Sequence, residues 1–143
     1  MSKVIGATDL GIDIQSGEES ALFKWFLASF LMGKRIQADI ACNAYRVIVE
    51  KHRRDTPRKL ARCSHRELVA MLGEAHYVRY DESTADRLSA LSARLNDEYG
   101  GKLTHIHDAS ADRADFEKRL LTFDGVGPKT VEIFMREAAG VLF

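Results

Sequence analysis

Apolar positions recur along this chain at helical rather than strand spacing. Leu22, Phe23, Trp25, Phe26, Leu27, Phe30, Leu31 and Met32 fall on nearly every side of one helix. That helix is capped by Ser16 or Ser20, carries Glu18 and Glu19 near its start, and ends at Gly33. A helix apolar all round belongs at the centre, with others packed about it. A second helix begins near Gln37, with Ile40, Ala41, Ala44, Val47 and Ile48 as its inner stripe. Thr56-Pro57 opens a short helix, since Pro is preorganised for the first turn. Ser64-His65-Arg66-Glu67 is a capping box, and its helix runs through Leu68, Val69, Met71 and Leu72 to Gly73. Residues 81–99 form a longer helix with Leu88, Leu91 and Leu95 facing inward and Gly100-Gly101 as its stop. Asp108 or Ser110 caps the next helix, which carries Phe116, Leu120 and Leu121, and a last helix ends near Ala139-Gly140.

Two stretches lack such a pattern. Residues 1–17 carry glycines at 6, 11 and 17 with a loose alternation over Leu10-Ile14, which predicts an irregular or extended arm covering part of the core. Residues 102–108 read as a loop, and the pair His105 and His107 shares a metal only on an extended backbone, with no third ligand in view. The expectation is therefore an all-α fold, one domain over residues 1–143 with about six helices.

At 143 residues the chain can bury a core, and 45% apolar with 29% charged residues is ordinary for a globular protein. Lys plus Arg and Asp plus Glu both number 21, so no global field draws the chain to a polyanion and any such site must be a local patch. One such patch is the run from Lys51 to Arg66, with seven basic residues, Arg53, Arg54 and Arg58 among them, against the single acid Asp55. Such a run is either a solvated face or a source of salt-dependent phosphate contacts. Cys42 and Cys63 have neither metal-ligand spacing nor a disulfide framework, which predicts a reduced, cytoplasmic protein with no metal. The opening residues lack a basic-then-apolar leader, and no apolar run reaches membrane-spanning length.

The most specific stretch is Leu120-Leu121-Thr122-Phe123-Asp124-Gly125-Val126-Gly127-Pro128-Lys129-Thr130. Two glycines around one aliphatic residue permit a tight reversal, and Pro128 sits where the following helix begins. A helix N-terminus behind a glycine turn presents backbone N–H groups and a partial positive charge, which suit a phosphate, and Lys129 adds a mobile cation.

From Leu121 to Thr130 the chain resembles the helix-hairpin-helix of the endonuclease III-type base-excision DNA glycosylases, with the motif over residues 116–139 and a diffuse likeness over about residues 20–140. The resemblance implies duplex DNA as partner, held by Gly125, Val126, Gly127, Lys129 and Thr130 through the phosphate backbone. It places Lys34, Arg35 and Gln37 in the DNA-facing turn after the first helix. It also puts Lys129 where the bifunctional enzymes carry the lysine that attacks the sugar C1′. The family's aspartate lies farther downstream than the 14 residues following Lys129, its four cluster-binding cysteines have no counterpart, and Asp124 stands where proline is common. A truncated relative is therefore expected, with no cofactor, at most weak abasic-site lyase activity, and a cleft completed by a second subunit or homodimer. A non-catalytic protein-interaction or regulatory module on the same fold is the alternative. The loop with His76, Tyr77, Arg79 and Tyr80 is a further candidate for ligand contact, and Glu132 is the first acid to test in place of the aspartate.

Overall fold

The computed structural model describes residues 4–143, which fold as eight α-helices with no strand among them. The central element is α1 (Glu19–Met32), as its unbroken apolar surface requires. Trp25, Phe26, Phe30 and Leu31 are wholly buried in it. On one side it packs against α2 (Ala38–Tyr45), and on another against α8 (Pro128–Leu142). The Trp25 indole N–H donates to the Phe134 carbonyl at 3.2 Å, and Phe26 meets the Phe134 ring edge-on at 5.3 Å. Truncating Trp25 to alanine removes both its burial and this bond, and should cost about 3–5 kcal/mol.

The far end of α2 widens into a π-helical turn over Arg46–Lys51. α3 (Pro57–Ala61) follows, its N-cap Thr56 accepting from the Lys59 amide at 3.1 Å. In α4 (His65–Glu74) the capping box is complete, with Ser64 Oγ accepting from the Glu67 amide and Glu67 from that of Ser64. α5 (Asp81–Tyr99) lies across α3 and α4 and stops at Gly100, whose φ of 63° is left-handed.

Eight helices stand where about six were expected, and α1 starts from Glu18, with no side-chain capping bond, and not from Ser16 or Ser20. Three further expectations need correction. Residues 102–108 are not a loop: α6 (Leu103–Ala109) is helical, so His105 and His107 point to different sides. His105 bonds the Tyr99 carbonyl through Nδ1, whereas His107 packs between Phe116 and Phe143. α6 is capped from afar, by the Glu19 carboxylate, which accepts from the Leu103 and Thr104 amides at 2.8 Å each. Next, α7 (Arg113–Leu120) starts from Asp112, which bonds the Asp115 amide at 2.9 Å, and not from Asp108 or Ser110. The last helix also runs on to Leu142, past Gly140.

The arm does cover the core. It forms two 3₁₀ turns, Ala7–Leu10 and Ile14–Ser16, which bury Ala7, Leu10, Ile12 and Ile14. Glu137 of α8 anchors it by accepting from the Ala7 amide at 2.7 Å. Among the described residues, no helix is long and apolar enough to cross a membrane and no cluster of three His, Cys, Asp or Glu side chains could hold a metal.

Candidate functional site

The connection from α7 to α8 is built around a β-turn. The Val126 amide donates to the Phe123 carbonyl at 3.1 Å, and Gly125 between them sits at φ 77°. An L-residue avoids that conformation, so glycine is required there. Phe123 and Val126 point into the core and anchor the turn from below. Gly127 is then the N-cap of α8 in extended conformation, φ −105° and ψ −176°, and Pro128 takes the first helical position. No side chain caps this helix. The amides of Lys129 and Thr130 are left without a capping acceptor, and of these two residues only Lys129 is exposed.

The turn's side chains divide sharply. Lys129 is exposed. Thr130 is 1% exposed and packs on α1, where a Cβ at Gly33 would stand 2.1 Å from its Oγ1. Thr130 and Val126 are thus closed to a ligand, main chain included. Asp124 is exposed at the tip.

Lys34 comes to this turn from the end of α1. Its Nζ donates to the Gly125 carbonyl at 2.7 Å and lies 5.0 Å over the Phe30 ring. Partial burial lowers its pKa, and the nearby Arg87 charge adds to the effect. Arg35 and Gln37 are exposed beyond it, Gln37 as the N-cap of α2. Two arginines of α5 complete the surround and were not singled out from sequence. Arg87 lies against Gly125, where a Cβ would come within 2.8 Å of its Cδ. Arg94 donates to the Thr122 carbonyl at 2.6 Å and covers the Phe123 ring at 4.6 Å. Their i, i+7 spacing sets both on one face of α5, which is the only sequence signal they leave. Among the described residues Lys34, Arg87 and Lys129 form no ion pair, so the turn carries a basic patch within a chain of zero net charge.

The run from Lys51 to Arg66 lies elsewhere. α3 meets α5 through Asn96, whose side chain donates to the Pro57 carbonyl at 3.1 Å. Asn96 is nine residues from Arg87, half a rotation around the helix, so the run and the turn occupy opposite faces of α5. Part of the run is also engaged. Lys51 and His52 bond Glu74, whose carboxyl these contacts hold below the usual carboxylate range. Lys59 pairs with Asp55 at 3.0 Å and Arg54 approaches Glu67 at 4.0 Å. Arg53 and Arg58 are exposed, Arg53 with a left-handed φ of 58°.

Lys129 borders a cavity of about 170 Å³ with Val4, Ile5, Met32, Ala38, Ile133 and Arg136, none of them an acid. Glu132 faces a different groove, of about 440 Å³, between α7 and α8. Of the candidate ligand loop, Tyr77 is core: it is wholly buried and its hydroxyl donates to the Leu31 carbonyl at 3.0 Å. No family model, curated protein or solved structure matches the chain.

Proposed function

We propose that α7, the 121–127 turn and α8 act as a helix-hairpin-helix that binds duplex DNA through its phosphates, without sequence preference, in the manner of base-excision glycosylases. The observation that carries this reading is Gly127. Its backbone is extended, which any residue adopts, and a Cβ added there would meet nothing within 4 Å. Neither strain nor internal packing asks for glycine at 127. Glycine is favoured at an N-cap in its own right, and here its missing side chain also leaves room for an anion at the uncapped N-terminus. Lys129, Arg87 and the end of α1 supply the charge around it.

The chemistry proposed for Lys129 is limited to an abasic site. Its amine would add to the C1′ aldehyde, forming the C–N bond of an imine as water leaves. That step needs the unprotonated amine. Lys129 is exposed, and the cavity it borders holds no acid that could take up the ammonium proton. Excision of an intact base needs a placed acid as well, and Glu132 is turned to another groove.

One observation favours the alternative interaction module. Leu121 is 44% exposed beside the α7–α8 groove, an apolar site of the kind partners use. Fluorescence anisotropy with two duplexes of unrelated sequence, titrated across salt, tests the DNA reading. Equal affinities that fall steeply with salt are expected. Absence of binding at low salt would overturn it and leave the module.

A further inference from the structure

A second cavity, of about 380 Å³, opens where α1 starts, α3 starts and α5 ends. Its volume falls in the range of small-molecule sites. Phe23, 2% exposed, and the buried Pro57 give it an apolar floor. Four charged side chains reach it, and they are not equivalent. Asp55 is taken up by Lys59 at 3.0 Å, and Glu19 accepts both leading amides of α6. Arg58 and Lys102 are exposed and, among the described residues, make no ion pair. Neutral amides do not cancel the Glu19 charge, but Arg58 and Lys102 outnumber it, so the charge left at the cavity is positive. Asn96 belongs to the same wall. Its Nδ2 is used by the Pro57 carbonyl, but its Oδ1 is buried with no hydrogen-bond partner. That oxygen lies against Gly101, where a Cβ would come within 2.8 Å of it. A buried acceptor without a donor is unfavourable until one is supplied.

We propose that this cavity binds a small organic carboxylate with an apolar body. The apolar body rests on Phe23 and Pro57, and the carboxylate meets Arg58 and Lys102. The site lies across α5 from the 121–127 turn and does not depend on the DNA reading.

Amide-resolved NMR titration of the full chain with indole-3-acetate tests this, because that probe joins a carboxylate to an apolar body. Saturable shifts at Phe23, Asn96 and Lys102 are expected. The neutral indole-3-acetamide should bind about three- to tenfold more weakly, and so should indole-3-acetate to the Arg58→Gln, Lys102→Gln double variant. Absence of saturable shifts at those residues, or an amide that binds as tightly as the acid, would overturn the proposal. The comparison of probes on the unaltered chain holds even if the double variant fails to fold.

Discussion

Gly125→Ala should destabilise the protein far more than Gly127→Ala, although the two glycines stand two residues apart. At Gly125 the φ of 77° alone disfavours an L-residue by about 1–2 kcal/mol. Sterics add to this. The new Cβ would stand 2.8 Å from Arg87 Cδ and 2.8 Å from Phe30 Cε2. The far end of Arg87 swings away at little cost, but its Cβ, 3.1 Å from the new methyl, and the wholly buried Phe30 ring cannot. Forcing a methyl group against such a ring costs about 1–3 kcal/mol. The sum is about 2–5 kcal/mol, a large part of the stability of a typical domain. At Gly127 the backbone is extended and the Cβ meets nothing, so alanine should change stability by less than about 0.5 kcal/mol. Urea unfolding of the three proteins, extrapolated linearly to water, measures both differences. If Gly125→Ala loses no more than Gly127→Ala, the left-handed turn against Phe30 is not what holds this connection.

Three further outcomes follow from the same contacts. Lys34→Met removes the bond to the Gly125 carbonyl and should cost about 1 kcal/mol by urea unfolding. Because burial lowers the Lys34 pKa, the unfolded chain holds more protons just below pH 10.5, so stability rises with pH there and the variant should lack that rise. Borohydride trapping on abasic DNA should give at most a weak covalent adduct, lost in Lys129→Ala while much of the duplex affinity stays; efficient release of an intact damaged base would contradict the limited chemistry. His65 bridges Glu82 at 3.1 Å and Asp86 at 2.9 Å, and its pKa is raised, first by the Glu82 hydrogen bond and then by the Asp86 charge, which together outweigh desolvation. Its contribution is present in full below pH 6.5 and is lost as pH climbs through the raised value, so melting temperatures of His65→Gln should vary less over that window.

What was legible in the sequence was what local rules decide. The Ser64 capping box, Pro57, Pro128 and the all-round apolar α1 each act within a few residues, and each stands where its pattern places it. What was hidden depends on distant partners. α6 has no local cap to read, because its cap is Glu19, 84 residues upstream of Leu103. The arm is ordered by Glu137, 130 residues from Ala7. Tyr77 looked like a ligand-facing aromatic because nothing near it in sequence announces the Leu31 carbonyl. Gly33 reads as a helix stop, whereas its lack of a side chain also admits Thr130. At the candidate site the turn itself was readable, but Arg87 and Arg94 look like any exposed arginines on a helix until the turn is folded against them.

The most direct test of the proposed site is Gly127→Asp, followed for stability and duplex affinity in the same preparation. An aspartate at this N-cap can bond the open amides of α8 and complement its dipole, so stability should hold or rise by a few tenths of a kcal/mol. The same carboxylate occupies the amides offered to a phosphate and repels it. Affinity should therefore fall about tenfold or more at low salt, with the slope of log K against log salt reduced by about one. A stable Gly127→Asp protein that binds duplex DNA like the wild type would contradict the account.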